Sequence, residues 1–140
     1  KNLHLKMNLA LDEYKERVSK INSTFEHYPV PGGYDTKSWR EGIQILDYVE
    51  DQKYTFHHDT ADQHRQEFYR TISIILYLSN EFEGGRTIFP HKEFKPLPGQ
   101  ALIFPSNWCF PHCGEIVTKG KKRVAVTWYY VETMSADEYI

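Results

Sequence analysis

Apolar residues recur at Leu11, Tyr14, Val18, Ile21 and Phe25 in the stretch NLALDEYKERVSKINSTFEHY, drawing one stripe along a helix. The pattern predicts a helix over about residues 8–27, with Asn8 as its N-cap. PVPGGYD then breaks the period and reads as a loop. From about residue 42 to residue 131 the period shortens to two. GIQILDYV, KYTFHHD, TISIILYLS, GQALIFP and KRVAVTWYYV read as short strands, with a turn near Glu50-Asp51-Gln52 between the first two. EFEGGRTIFP adds a Gly84-Gly85 turn leading into another strand.

One helix followed by six or so short strands predicts an α+β protein forming a single domain over residues 1–140. A jelly-roll or cupin-like barrel accommodates that many short strands without long exposed edges. In TISIILYLS, Ile72, Ile74, Leu76 and Leu78 share one face, and Thr71, Ser73, Ile75, Tyr77 and Ser79 share the other. That mixed face either lines a polar cavity or meets solvent, and alternation alone leaves both readings open.

Composition narrows the function classes. Ten Tyr, eight Phe and three Trp in 140 residues argue against disorder, and a net charge of −2 gives no general attraction to nucleic acid or anionic membrane. No apolar run is long enough to span a membrane, and KNLHLKMNLA does not read as a secretory signal. Two cysteines, Cys109 and Cys113, are a poor disulfide framework and favour a reducing compartment, so a cytoplasmic location is expected. With His112 between them a Cys-His-Cys metal cluster is conceivable, but the intervening FPH does not resemble a zinc knuckle.

The candidate chemistry lies in KYTFHHDTAD. On an extended segment His57 and Asp59 point the same way and His58 the opposite way. Two histidines and one carboxylate form a ferrous site that leaves one side of the metal open. His112 is the candidate second histidine, 53 residues beyond Asp59 and just ahead of the last strand. None of His4, His27, His58, His64 and His91 directly precedes a strand with a suitable cation. After His112 comes a Gly120 turn and then Lys121, Lys122 and Arg123. A basic side chain there could hold the distal carboxylate of a dicarboxylic cosubstrate, although such runs are commonly solvated surface. Lys122, Val124, Val126 and Trp128 share one face of this strand, and Arg123, Ala125, Thr127 and Tyr129 the other.

In order along the chain, GIQILDYVEDQKYTFHHD, ISIILYLSNEFEGGRTIFP, KPLPGQALIFPS and HCGEIVTKGKKRVAVTWYY resemble the prolyl 4-hydroxylase branch of the iron- and 2-oxoglutarate-dependent oxygenases. The likeness covers roughly residues 42–131. It implies a double-stranded β-helix core with an N-terminal supporting helix. It also implies Fe(II) held by His57, Asp59 and His112. The family's basic residue lies about ten positions after the distal histidine and six before a Trp, and both counts select Lys122 rather than Arg123. Tyr77, and Tyr48 by the end of the preceding strand, map onto cosubstrate-binding tyrosines; Tyr54 is a further candidate for the pocket wall.

The implied reaction is oxidative decarboxylation of 2-oxoglutarate to succinate and carbon dioxide, coupled to hydroxylation by dioxygen, with ascorbate as a reductant. No side-chain general base is implied. A prolyl residue in a peptide or protein is the expected substrate. The alternatives are a related oxygenase acting on another side chain or a free amino acid, and a non-catalytic cupin-like metal-binding module. Nucleic-acid demethylases of similar chemistry tend to carry an Arg six positions beyond the first cation, where this chain has Trp128. Ile116 replaces the family's usual Pro, and the chain ahead of the helix is short, which leaves the expected substrate groove the least defined part. HYPVPGGYDTKSW and TADQHRQEF are the expected loops over the site. Trp108 and Phe110 read as core aromatics, with contact to a proline ring as the alternative.

Overall fold

The computed structural model describes residues 2–22, 38–60 and 68–132. The helix, α1 (Asn2–Ile21), begins six residues earlier than Asn8. Asn8 is an attractive cap by residue type, but Leu3 and Met7 continue the apolar stripe upstream and draw the first two turns onto the sheet. Asn8 sits inside the helix, where its Oδ1 accepts a hydrogen bond from the Tyr129 hydroxyl at 2.9 Å. The end expected near residue 27 lies outside the described residues.

Eleven strands are described: β1 (Ser38–Arg40), β2 (Gln44–Tyr48), β3 (Tyr54–His57), β4 (Phe68–Tyr77), β5 (Phe82–Gly84), β6 (Thr87–Phe89), β7 (Lys92–Phe94), β8 (Ala101–Pro105), β9 (His112–Gly114), β10 (Val117–Gly120) and β11 (Lys122–Glu132). The main sheet runs β1-β11-β4-β8, with β2 also paired to β11. A smaller sheet runs β3-β9-β6-β7, and β10 pairs with β5. All of these pairings are antiparallel.

The two faces of the main sheet do different work. On one, Ile72, Ile74, Leu76, Ala125 and Tyr129 close over Met7 and Leu11 of the helix. Each fully buried Ile or Leu there stabilises the fold by about 1.5–3 kcal/mol. On the other, Ser73, Ile75 and Tyr77 alternate with that core and turn inward, so the middle of the mixed face does not meet solvent: Ser73 bonds Asp59, Tyr77 bonds Thr87 of the smaller sheet, and Ile75 borders a cavity. At the ends of this strand face, the Thr71 hydroxyl donates to the Tyr129 carbonyl and the Ser79 hydroxyl to the Lys121 carbonyl.

The expected turns are present at Asp51 (φ 69°) and Gly84-Gly85 (φ 69° and 63°). Gly120 (φ 78°) is required twice over, because a Cβ there would lie 2.2 Å from the Glu81 carbonyl oxygen. That close approach lets β10 end against β5 and β11 start with Lys122 buried.

Candidate metal centre

Strand register assembles the site. His57 and His112 are direct partners in the β3–β9 pair, and their ring centroids lie 4.5 Å apart. Asp59 follows in the turn after β3, its N–H bonded to the Ser106 carbonyl at 3.1 Å. Asp59 Oδ1 lies 3.0 Å from His57 Nε2 and 3.5 Å from His112 Nε2. Among the described residues this is the one group of three His, Cys, Asp or Glu side chains whose ligand atoms converge, all within 4.8 Å.

The donors are oriented for a metal. His57 Nδ1 is 2.7 Å from the Thr55 carbonyl and His112 Nδ1 is 3.0 Å from the Phe110 carbonyl. A carbonyl only accepts, so each Nδ1 donates its proton there, and each Nε2, turned toward Asp59, is the ring atom placed for a metal that would take the place of a proton on it. Burial holds the His112 pKa below the ordinary imidazole value, with His57 adding to the effect against the Phe110 carbonyl and the Asp59 charge. Burial by itself would raise the Asp59 carboxyl. Hydrogen bonds from His57, Ser73 and Trp128 and the nearby His112 outweigh it and bring the pKa down to about 2. Two imidazoles and an ionised carboxylate fit a ferrous ion by ligand type and number.

A cavity of about 680 Å³ extends from these three residues to Lys122. Lys122 is only 4% exposed, and its Nζ lies 5.3 Å from the Tyr48 ring centroid and 5.1 Å from that of Tyr77. Register again explains the arrangement, since Lys122 is paired directly with Tyr48 across β11 and β2. Tyr77 is fully buried and its hydroxyl lies 2.7 Å from Thr87 Oγ1. Burial pushes the Tyr77 phenol up to about 12, so it is a neutral hydroxyl near pH 7. Burial pulls Lys122 down to about 8, partly offset by Glu115 and Cys113. Among the described residues no carboxylate lies at ion-pair distance from Lys122. Arg123 takes the opposite face and forms a two-pronged pair with Asp47 at 2.7 and 2.9 Å.

Two expectations change, those for His58 and Trp108, and one holds, that Tyr54 lines the pocket. His58 was expected to face away, yet it also borders the cavity, because β3 ends at His57 and strand alternation stops there. Tyr54 reaches the cavity with its ring centroid 4.4 Å from that of His57, through an irregularity in the β3–β9 register between them. Trp108, expected in the core, is 75% exposed in the turn between β8 and β9, while Phe110 is half-buried. That turn is tied locally, with the Cys109 N–H donating to Asn107 Oδ1, so it holds its shape without burying the indole. Cys109 is exposed and does not join His112 and Cys113 in a cluster. Residues 27–37 and 61–67 of the expected covering loops lie outside the described residues.

Other contacts around these side chains were not legible from the sequence. Ser73 Oγ donates to Asp59 Oδ2 at 2.5 Å, Trp128 Nε1 donates to the same oxygen at 2.9 Å, and Ser106 Oγ lies 2.8 Å from Ser73 Oγ. Thr87 supports the Tyr77 hydroxyl. Phe104 and Phe89 pack their rings against His112 at centroid distances of 4.9 and 5.5 Å. The available signal was polar residues falling in phase with the inward face of buried strands.

Residues 43–130 match the model of the 2OG-Fe(II) oxygenase superfamily. The chain is 38% identical over 107 residues to a putative prolyl 4-hydroxylase of Acanthamoeba polyphaga mimivirus, covering 64% of this chain and 44% of that protein. It is 30% identical over 151 residues to the probable prolyl 4-hydroxylase 10 of Arabidopsis thaliana, covering 86% of this chain and 50% of that one. The chain therefore spans at most about half the length of these two relatives. Its fold matches a viral collagen prolyl hydroxylase from Paramecium Bursaria Chlorella virus-1, solved with 2OG, at a TM-score of 0.63 and 23% identity, over 86% of this chain and 71% of that one. The antiparallel sheets and helix-covered face are those of a double-stranded β-helix. The chain belongs to the 2OG-Fe(II) oxygenase superfamily.

Proposed function

We propose that the protein is an Fe(II)- and 2-oxoglutarate-dependent oxygenase that hydroxylates a prolyl residue in a peptide or protein, with succinate and carbon dioxide as coproducts. The observation that carries this reading is one cavity joining a two-histidine, one-carboxylate donor set to a buried lysine without a carboxylate partner among the described residues. Its relatives named as prolyl 4-hydroxylases support the prolyl substrate.

His57 Nε2, His112 Nε2 and Asp59 Oδ1 would hold the iron. When bound, iron supplies the redox chemistry that couples decarboxylation of the cosubstrate by dioxygen to hydroxylation of a C–H bond. The chain's own groups bind and orient. Lys122, mostly protonated at pH 7, donates to the distal carboxylate of 2-oxoglutarate, and the ligand supplies the countercharge that burial otherwise denies it. Tyr48 and Tyr77 flank that end of the cavity, and Thr87 fixes the Tyr77 hydroxyl. Val124 and Val126 line the wall between Lys122 and the metal ligands and keep water from it.

Among the described residues no helix is long and apolar enough to cross a membrane. The free thiols of Cys109 and Cys113 support a reducing, cytoplasmic setting. The test is incubation with Fe(II), 2-oxoglutarate, ascorbate and a panel of peptides, each paired with a copy in which Pro is replaced by Ala. Succinate release matched by a one-oxygen mass gain on proline is the expected result. A gain on another residue type or on a free amino acid overturns the prolyl assignment.

A further inference from the structure

Asp59 has two carboxylate oxygens, and the protein treats them differently. Oδ1 faces the two imidazoles, whereas Oδ2 accepts from Ser73 Oγ at 2.5 Å and from Trp128 Nε1 at 2.9 Å. The two donors are direct partners in the β4–β11 register, the most extensive strand pair of the main sheet. They therefore share a face of two central strands, and neither depends on a loop for its position. Each is braced in turn. Ser106 Oγ lies 2.8 Å from Ser73 Oγ, and the Ser106 carbonyl holds the Asp59 N–H. The Arg70 guanidinium stacks 3.8 Å from the Trp128 ring centroid, donates to the Asp59 carbonyl at 3.3 Å, and is gripped by Glu41 at 2.7 and 2.9 Å.

We propose that Ser73 and Trp128 are positioning residues that occupy Asp59 Oδ2 and so present Oδ1 alone to the metal. This rests on the metal-centre reading above. A carboxylate free to rotate can chelate through both oxygens and consume a coordination position, whereas one whose second oxygen already accepts two hydrogen bonds binds through the first. The two donors thereby keep open the side of the metal where cosubstrate and dioxygen must bind. Trp128 lies six residues beyond Lys122 on the same face of β11. One strand thus holds the cosubstrate's distal carboxylate near its start and sets the carboxylate ligand further along.

The experiment titrates Co(II) into the metal-free protein, its S73A and W128F variants, and T71A. Thr71 is a hydrogen-bonding neighbour on β4 that bonds the Tyr129 carbonyl rather than Asp59. S73A and W128F are expected to raise the Co(II) dissociation constant about tenfold or more, the range seen when partners of metal ligands are removed. Both should also alter the visible ligand-field spectrum, with T71A matching the parent in both readings. Thermal unfolding of the metal-free proteins separates structural damage, which lowers the midpoint without changing the Co(II) spectrum of the folded fraction. Should W128F fail to fold, S73A decides alone. Parent-like affinity and spectrum in S73A, or in folded W128F, overturn the role of that residue. A parent that binds no Co(II) instead overturns the metal-centre reading itself.

Discussion

β4 and β11 each carry two kinds of surface, one residue apart. Toward the helix, Ile72, Ile74, Leu76, Ala125 and Tyr129 form a largely apolar core, the Tyr129 hydroxyl satisfied by Asn8 and the buried Thr127 hydroxyl on the same strand face by the Glu41 carbonyl. Toward the cavity, Ser73, Tyr77, Lys122 and Trp128 are polar and, Trp128 apart, as buried as the core residues. The difference teaches where burial is used for stability and where for chemistry. An apolar side chain gains from leaving water wherever it goes, whereas a buried polar group costs free energy unless it has a partner. Ser73, Tyr77 and Trp128 find theirs inside the protein. Lys122 alone of the four waits, in this reading, for a ligand.

Breaking the metal centre should give the largest functional effect. Asp59→Asn keeps an oxygen able to accept from Ser73 and Trp128 but removes the charge, so Fe(II) binding and turnover should fall to background in a protein that remains folded by circular dichroism. Retained Fe(II) affinity would remove Asp59 from the ligand set. On the opposite face Ile74→Ala should do the reverse. It should cost about 2–5 kcal/mol of stability by denaturant unfolding, with the metal affinity of the folded protein unchanged.

The cosubstrate end should respond more gently. Lys122→Ala removes a charge-assisted hydrogen bond and should raise the KM for 2-oxoglutarate by about ten- to a hundredfold. Arg123→Ala, one residue on, should leave KM near the parent value because that side chain is occupied with Asp47. The reverse order would put the basic face of β11 out of phase with the cavity.

A pH series sharpens the same comparison at the smallest scale. Burial lowers the free Lys122 pKa to about 8, against the opposing pull of Glu115 and Cys113, with the neutral Tyr48 and Tyr77 phenols alongside. On the proposed reading the dicarboxylate binds the protonated amine and should raise its pKa. Affinity is therefore full below about pH 8 and weakens by about tenfold per pH unit above it, until the pKa of the complex is passed. Calorimetry in buffers of different ionisation enthalpy should show proton uptake on binding at pH 9. No uptake would mean that Lys122 is not the group that meets the ligand.

Much of this was legible because it depends on short-range pattern. Alternation puts His57 and Asp59 on one face and Lys122 and Arg123 on opposite faces, His112 stands out as the histidine just before a basic strand, and the choice of Lys122 over Arg123 rests on the family resemblance. The start of the helix is not legible because Asn8 is a good cap in isolation, while Leu3 and Met7 acquire their value only against a sheet whose core residues, Ile72 to Tyr129, are distant in the chain. Ser73 and Trp128 fall on the inward faces, but their shared bond to Asp59 was not legible, for a related reason. A neutral hydroxyl or indole has many uses, and its partner is set by β4–β11 register rather than by local sequence. His58 reaches the cavity at a strand end, which defeats a period of two, and Tyr54, expected at the pocket wall, gets there through an irregularity in strand register.

The central claim is that one cavity binds Fe(II) through His57, Asp59 and His112 and 2-oxoglutarate through Lys122. The most direct measurement is the visible charge-transfer absorption of the anaerobic protein with Fe(II) and 2-oxoglutarate present. The account predicts a weak band that is absent in His57→Ala and that appears only at higher 2-oxoglutarate in Lys122→Ala. A folded, metal-loaded parent protein without that band would contradict it.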